Sequence, residues 1–279
     1  MNKTFGLVCL SLLLLGTLPA HAQHKLEQIW LTPDLPTPES VLYVAHKKAP
    51  YLFVALIDGQ GDAVDGKGGI AKLAMNGTII NKDWLTGLNA PKGMAIYKNR
   101  LYVADITELV VIDIKKQRLI KKIPIEGSVF LNDVTVNSSG IVFVSDTRTN
   151  KVHRIVDDVP GLYLDNVASA NGLKAFGSNL IVGAGKQLLL FDADKKPLVL
   201  AEGFAQGIDG IEMTTKRGEF IVSCWPGLVY YVYSDGKIDV LIDSQEQKIN
   251  TADIGYDPNT NQVFVPNFFK NSVTAYQFQ

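Results

Sequence analysis

Residues 100–106, RLYVADI, form a short apolar run that is typical of a buried β-strand, and similar runs recur along the chain. Val, Ile, Phe and Tyr dominate these runs, and such β-branched and aromatic residues favour the extended conformation. The six copies are YLFVALID (51–58), RLYVADI (100–106), GIVFVSD (140–146), NLIVGAG (179–185), EFIVSCW (219–225) and QVFVPNF (262–268). The later copies follow one another about every forty residues, a period that is typical of β-propeller blades.

Further strand-like segments flank these copies, and turn residues such as Ser139-Gly140 and Asp235-Gly236 separate them. The segments that precede the copies are PESVLYVA (38–45), PKGMAIY (91–97), NDVTVN (132–137), NGLKAF (171–176), DGIEMT (209–214) and ADIGYD (252–257). The segments that follow are LVVIDI (109–114), VHRIV (152–156), QLLLFD (187–192), VYYVY (229–233) and VTAYQF (273–278). Six such units predict an all-β fold, a six-bladed β-propeller. An open β-sandwich and a solenoid are the alternatives, and the forty-residue period disfavours both.

The last unit has no sequence for an outer strand after residue 278. Residues 25–32, KLEQIWLT, precede the first unit and are predicted to supply that strand. This pairing would close the ring by an N-terminal strand that completes the last blade, and it would remove an open sheet edge.

Residues 1–22 have the features of a secretory signal peptide, and residues 23–279 are predicted to form the propeller domain. Lys3 supplies a positive charge, residues 5–15 are apolar, and Ala20-His21-Ala22 offers a cleavage pattern. The sequence therefore predicts a periplasmic or secreted protein with no membrane span after cleavage; the alternative is an uncleaved anchor. Cleavage would leave Cys224 as the single cysteine, which excludes an internal disulfide and a cysteine-rich zinc site.

Composition and the remaining motifs exclude several classes of function. The formal net charge of −1 argues against nucleic acid as the main partner. His46 and His153 are isolated outside any HExxH pattern, and no G-x-S-x-G motif is present, which disfavours a zinc protease and a serine hydrolase. The glycine-rich segment 61–68 lacks the Ser or Thr and the helix of a phosphate-binding loop. It is better interpreted as a long loop of the first blade that covers the site.

Polar residues stand where the innermost strand of each unit begins. In an antiparallel blade these positions lie on the side of the ring that also carries the loop between the second and third strands. The positions are Glu39, Lys92-Gly93, Asn132-Asp133, Asn171-Gly172, Asp209-Gly210 and Asp253. Among them, Glu39, Asn132, Asn171 and Asp209 offer oxygen ligands, which suit a divalent cation and calcium most of all. The alternative is that these residues only make turns before strands.

Four short elements in order carry a family resemblance: Pro38–Tyr43, Leu131-Asn132-Asp133, Ala170–Leu173 and Ile208–Ile211. Through them the chain resembles the gluconolactonase and regucalcin (senescence marker protein) family of six-bladed propellers, and more distantly strictosidine-synthase-like proteins. The resemblance implies a metal-dependent hydrolase of lactones. It implies that Glu39, Asn171 and Asp209 hold the metal, with Asn132 as a further ligand or substrate contact. It also implies that the metal polarises the ester carbonyl and that Asp209, the catalytic residue, accepts a proton.

The expected substrate pocket departs from that of the sugar-acid lactonases. Phe130 replaces their arginine two residues before the Asn-Asp pair, while Ser40 and Tyr43 replace a glycine and a tryptophan of the first element. Substrate contacts are predicted for Phe130, Asp133, Trp225 and Phe268, which together favour a small molecule less polar than a sugar lactone.

Two further alternatives stay open. Trp225 and its aromatic neighbours either line the pocket or pack blade against blade, and Arg148 either binds a substrate carboxylate or is solvated. The alternative function is a non-enzymatic propeller, similar to NHL-repeat modules, that binds a protein, peptide or glycan.

Overall fold

The computed structural model describes residues 24–279, so the predicted signal peptide lies outside the described residues. Twenty-four β-strands form six four-stranded antiparallel sheets within this part of the chain. The predicted six-bladed β-propeller is therefore confirmed. The helical content of the described residues is one 3₁₀ turn, Phe268–Lys270, and none of their helices is long and apolar enough to cross a membrane.

Each sheet is one blade, in which strands follow the chain from the channel outward. Blade 1 consists of β2 (Pro38–Val44), β3 (Tyr51–Leu56), β4 (Gly68–Ala74) and β5 (Ile79–Leu88). Blade 2 consists of β6 (Pro91–Tyr97), β7 (Arg100–Asp105), β8 (Glu108–Asp113) and β9 (Arg118–Pro124). Blade 3 consists of β10 (Leu131–Val136), β11 (Val142–Asp146), β12 (Lys151–Val156) and β13 (Val159–Leu164). Blade 4 consists of β14 (Ala170–Phe176), β15 (Asn179–Ala184), β16 (Gln187–Phe191) and β17 (Pro197–Glu202). Blade 5 consists of β18 (Ile211–Met213), β19 (Phe220–Cys224), β20 (Leu228–Val232) and β21 (Ile238–Asp243).

Blade 6 joins the two ends of the described chain. It contains β22 (Gly255–Asp257), β23 (Gln262–Pro266), β24 (Val273–Phe278) and, as its outer strand, β1 (Leu26–Thr32). Strand β1 runs antiparallel to β24, with Leu26 opposite Phe278 and Thr32 opposite Val273. The predicted closure by the N-terminal strand is therefore confirmed.

The hydrophobic core is divided among the interfaces between neighbouring blades. The strand that recurs in the sequence becomes the second strand of each blade, and in β3, β11 and β19 every residue is buried. The third strand of blade 5, β20, is also buried throughout. One buried cluster, for example, joins Ala104 and Val111 of blade 2 to Val134 and Val144 of blade 3. Equivalent clusters join the other neighbouring blades, including blade 6 to blade 1 through Phe264. Full burial of a side chain of this size stabilises the fold by roughly 1.5–3 kcal/mol.

Three glycines allow the inner strands to approach one another at the channel. A Cβ atom at Gly93 would lie 2.4 Å from Asp133 Oδ1, one at Gly172 would lie 2.2 Å from the Asp209 carbonyl oxygen, and one at Gly210 would lie 2.5 Å from Asp253 Oδ1. None of the three has a positive φ angle. These glycines are therefore required for space between blades, which is a different reason from the turn formation that the sequence suggests.

Candidate functional site

Four carboxylates from four blades meet at the channel end where the inner strands begin. Glu39 lies in β2, Asp133 lies in β10, and Asp209 and Asp253 lie just before β18 and β22. Glu39, Asp133 and Asp209 are 4–6% exposed. Backbone hydrogen bonds hold the ring together here, since Asp253 N donates to the Glu39 carbonyl at 2.9 Å and Val41 N donates to the Asp253 carbonyl at 3.1 Å.

Burial changes the ionisation of all four groups. It raises the pKa of Asp133 and of Asp209 to about 7 each. Burial also raises the pKa of Glu39 well above its ordinary value; the Asp209 charge adds to this effect, and the Lys92 ammonium opposes it. The pKa of Asp253 is raised by burial and then by the charges of Asp133 and Glu39. The cluster therefore favours either bound protons or a cation.

Two buried oxygen atoms in this cluster have no hydrogen-bond partner. They are Glu39 Oε2 and Asn171 Oδ1. The Asn171 amide donates from Nδ2 to Asp209 Oδ1 at 2.8 Å, which leaves its carbonyl oxygen free. A buried acceptor without a partner is costly, and carboxylate and amide oxygens are the ligands that a hard cation takes. The donor set of Glu39, Asn171 and Asp209 thus fits a divalent cation such as calcium.

The asparagine carbonyl is essential to this interpretation. No group of three or more His, Cys, Asp and Glu side chains in metal-holding geometry occurs among residues 24–279. Two carboxylates and one amide oxygen would have to share the ion, and water would complete the shell, as is usual for calcium and magnesium.

The other two predicted residues of the inner-strand starts have partners of their own. Asn132 Nδ2 donates to Thr147 Oγ1 at 3.2 Å, in the loop after β11. Asp133 accepts from Val134 N at 2.6 Å and from Leu173 N at 2.5 Å, so its carboxylate ties blade 3 to blade 4. The structure thus gives Asp133 a role between blades, while its contact with substrate stays a prediction, as does the ligand role of Asn132.

Sequence reasoning did not select Lys92 or Asp253 as site residues, although both occupy the same repeat position as the predicted ligands. Lys92 is 2% exposed, and its Nζ donates to the carbonyls of Gly61 at 2.8 Å and Ala90 at 2.9 Å. Burial lowers the pKa of Lys92, and the Glu39 charge counteracts that change. Ser40 donates its hydroxyl to Asp253 Oδ2 at 2.6 Å. Their position in the repeat was the feature of the sequence that could have identified both residues as part of the site.

Aromatic side chains line two sides of the mouth. The Phe130 ring contacts two cations, with its centroid 4.5 Å from Lys92 Nζ and 4.3 Å from Arg148 Cζ. On the side of blades 5 and 6, Trp225 packs edge-to-face on Phe268 and Phe269, with ring centroids 5.6 and 5.8 Å away. Trp225 is 39% exposed and Phe269 is 65% exposed. The three rings pack on one another and still present apolar surface to solvent.

Arg148 is half-exposed and does not extend freely into solvent. Its Nη2 donates to Asp62 Oδ2 at 2.9 Å, across from blade 3 to the loop between β3 and β4. Together with the Gly61–Lys92 hydrogen bond, this contact holds that loop beside Phe130. The loop therefore lies beside Phe130, and that it covers the site stays a prediction.

A narrow cavity continues from the acidic cluster along the inner strands. Its volume is about 200 Å³, and its polar lining includes Asp133, Lys174, Glu212 and Asp253. Lys174 and Glu212 form an ion pair across blades 4 and 5. The Lys174 ammonium also acts electrostatically on Asp133 and Asp253, so it offsets part of the negative charge at this end of the cavity.

Comparisons with known proteins identify the fold. No protein-family model matches the chain, and no curated protein matches it. A solved structure of streptogramin B lyase superposes with a TM-score of 0.66 at 10% identity, covering 92% of this chain and 98% of that chain. A catalytically inactive histidine-to-alanine variant of virginiamycin B lyase from Staphylococcus aureus, with quinupristin, has a TM-score of 0.60 at 13% identity and covers 91% and 99%. The selenomethionine-substituted form of that lyase has a TM-score of 0.60 at 10% identity and covers 91% of this chain and 99% of its own. Likeness at this identity shows the propeller fold and leaves the chemistry to the site.

The acidic cluster leads to a prediction on stability and pH in the metal-free protein. Asp209 has an ordinary pKa of 3.8 and a folded-state pKa of about 7, so the folded state holds its proton over that interval while the unfolded state has lost it. Stability must then fall as pH rises from about 4 to about 7. Thermal unfolding in chelator should show Asp209→Asn gaining stability relative to wild type across this interval. If the difference in unfolding midpoint between Asp209→Asn and wild type does not change with pH, the raised pKa of Asp209 is wrong.

Proposed function

We propose that this chain is an exported, metal-dependent hydrolase of the gluconolactonase-like type that acts on a lactone or a related ester. The observation that carries this proposal is the pair of unpartnered buried oxygens, Glu39 Oε2 and Asn171 Oδ1, beside the Asp209 carboxylate. The resemblance of the four inner-strand sequence elements to the gluconolactonase and regucalcin family also supports a metal-dependent hydrolase. Export rests on the signal-peptide features of residues 1–22.

Glu39, Asn171 and Asp209 would hold the cation, and calcium suits their oxygen chemistry. A bound divalent cation would polarise the carbonyl of the scissile ester. Glu39 and Asp209 together provide two negative charges, and their burial makes this charge costly without a counter-ion. The nearby Lys92 ammonium offsets part of that charge and therefore limits the affinity for any cation.

Asp209 is the residue best suited to move a proton. In the metal-free protein burial raises the pKa of Asp209 to about 7. A bound cation would lower this pKa, so that the carboxylate is ionised and able to accept a proton at neutral pH. Asn171 fixes the carboxylate by donating to its Oδ1, so that Oδ2 is the oxygen left to accept a proton. In this role Asp209 would take a proton from the attacking water and return it to the leaving alkoxide oxygen.

The walls of the mouth favour a substrate with apolar parts. Phe130, Trp225 and Phe268 supply aromatic surface, whereas a sugar lactone would need several hydrogen-bonding groups. We therefore expect a lactone or ester with an alkyl or aryl portion.

The lyase chemistry named for the structural neighbours is a weaker candidate for this chain. One of those structures is an inactive variant that has lost a histidine. In the described part of this chain, the His24 ring lies 4.1 Å from the Tyr231 ring, the His46 ring lies 6.2 Å from the Tyr51 ring, and His153 lies in β12. No histidine of residues 24–279 takes part in the acidic cluster.

The exposed aromatics favour one alternative function, a non-enzymatic propeller of the NHL-like type. Trp225 and Phe269 offer apolar surface at the rim that could contact a protein, peptide or glycan. This function requires neither a cation nor turnover.

Thermal unfolding of residues 23–279 with calcium, magnesium, manganese, zinc or chelator tests the proposal, together with a panel of alkyl and aryl lactones. We expect one cation to raise the midpoint, since a ligand that binds only the folded state stabilises it by about 2.7 kcal/mol at one hundred times its Kd. The same cation should be needed for lactone hydrolysis. Absence of both effects would exclude the hydrolase and favour the binding module.

A further inference from the structure

Two cations lie against the ring of Phe130 at the channel mouth. Lys92 Nζ is 4.5 Å from the ring centroid, and Arg148 Cζ is 4.3 Å from it. The two residues come from blades 2 and 3, whereas the acidic cluster draws on blades 1, 3, 5 and 6. The mouth thus has a positive side beside its negative centre.

Lys92 is a buried ammonium that has unused bonding capacity. It is 2% exposed, and both hydrogen bonds that the described residues give its Nζ go to neutral carbonyls, those of Gly61 and Ala90. An ammonium group has three N–H donors, so one remains for a further partner. Glu39 and Asp105 act on this ammonium electrostatically but form no hydrogen bond with it, so its third N–H can still donate to an anion.

Arg148 has a carboxylate partner, but that partner comes from a surface loop. Asp62 Oδ2 accepts one hydrogen bond, at 2.9 Å, from a guanidinium that can give two in parallel. Both side chains are 51% exposed, and ion pairs of this exposure are weak. Asp62 also acts electrostatically on Lys92, so its carboxylate hydrogen-bonds Arg148 and lies within electrostatic range of Lys92.

The loop that carries Asp62 is built to move with little steric cost. It joins β3 to β4 and contains Gly59, Gly61 and Gly66. A Cβ atom at Gly61 or at Gly66 would meet nothing within 4 Å, so the loop is loosely packed there. Besides its contacts with the two cations, it is held by a bond of 3.3 Å from Gly66 N to Asn89 Oδ1.

We propose that Lys92 and Arg148 form a binding site for a carboxylate on the substrate, and that Asp62 occupies this site in the free protein. The loop then gives way when substrate binds, and the incoming carboxylate replaces that of Asp62. As a statement about substrate, this inference rests on the proposed function: the substrate is a lactone or ester that also bears a free carboxylate. The anion site itself does not depend on the metal.

The geometry favours a carboxylate because the chain already places one there. Asp62 reaches Arg148 at normal hydrogen-bond distance, and a second carboxylate of the same size can use both donors of the guanidinium. The Phe130 ring, which both cations contact, would pack against the carbon skeleton next to that group.

Glutarate binding to metal-free protein, measured by calorimetry, tests the anion site without turnover. Asp62→Asn should bind glutarate about tenfold more tightly than wild type, because the internal competitor is gone, and Arg148→Gln about tenfold more weakly. Arg154→Gln is the matched control, since Arg154 is exposed in β12 and lies 5.9 Å from the Tyr163 ring. Equal glutarate affinity in wild type and Arg148→Gln, or no binding to Asp62→Asn, would overturn the proposal. All three residues are exposed, so the substitutions should leave the fold intact.

A pair of lactones tests the link to catalysis. γ-Valerolactone and 5-oxotetrahydrofuran-2-carboxylate differ in a methyl group that is replaced by a carboxylate. The ratio of kcat/KM for the carboxylated lactone over the neutral one should exceed one in wild type and fall about tenfold in Arg148→Gln. If both lactones are hydrolysed equally well in a metal-dependent manner, the substrate assignment fails and the hydrolase stands. If glutarate binding follows the expected order but no cation stabilises the protein, the hydrolase fails and the anion site stands.

Discussion

Replacing Asp209 by asparagine is expected to abolish both the stabilisation by divalent cation and the hydrolysis of lactones. The substitution removes one of the two carboxylates available to the ion, and it removes the proposed proton acceptor. Loss of a general base lowers kcat by about 100- to 10,000-fold. Loss of a ligand should eliminate a midpoint shift of roughly 5–10 °C under saturating cation, the size expected for a few kcal/mol in a domain of this length. Thermal unfolding with and without the cation, together with lactone turnover, measures both effects.

Asp257→Asn is the matched control for this experiment. Asp257 is also an almost fully buried aspartate, but it ends β22 and accepts from Asn259 N at 2.9 Å and Thr260 Oγ1 at 2.7 Å, away from the mouth. We expect this variant to lose stability while it keeps the full cation effect. A cation shift that survives in Asp209→Asn would remove Asp209 from the ligand set.

Deletion of residues 24–32 is expected to prevent cooperative folding. The deletion removes β1, which is the outer strand of blade 6 and also contacts blade 1. Trp30 Nε1 donates to the Met75 carbonyl at 2.9 Å, and Thr32 Oγ1 donates to the Gly77 carbonyl at 2.6 Å. An open edge at β24 and an unfilled interface would remove most of the roughly 5–15 kcal/mol that typically stabilises a domain. Circular dichroism during thermal unfolding should then show no sharp transition.

A circular permutant separates the loss of the strand from the loss of chain length. Lys25 and Gln279 exchange backbone hydrogen bonds of 2.9 and 3.3 Å, so a two-residue Asn-Gly turn can join them as a hairpin. Moving residues 25–32 behind Gln279 through this turn should restore the midpoint to within a few degrees of wild type. A permutant as unstable as the deletion would show that β1 must enter from the N-terminal side.

The site was only partly predictable from the sequence. Glu39, Asn171 and Asp209 could be chosen because each stands at the same position of its repeat, and a repeat places equivalent positions at one end of the ring. The repeat says nothing about side-chain direction, so it could not distinguish Asn171, which donates to Asp209, from Asn132, which donates to Thr147. Nor could it reveal that the Lys92 ammonium is buried, because lysine is usually exposed.

The fold of this protein follows from its amino-acid sequence alone. The runs of Val, Ile, Phe and Tyr predict the strands, and the period of these runs predicts the blades. Residues 25–32 predict the strand that closes the ring. These features are local, because the order of apolar residues along the chain is enough to predict which segments form buried strands. Which side chains lie together at the channel mouth is seen only in the tertiary structure. Asp62 and Arg148 are separated by 86 residues, and Asn171 and Asp209 by 38, so their contacts depend on how neighbouring blades pack. The same holds for three glycines, Gly93, Gly172 and Gly210. At each of them a Cβ atom would clash with an adjacent blade, which the local sequence cannot reveal.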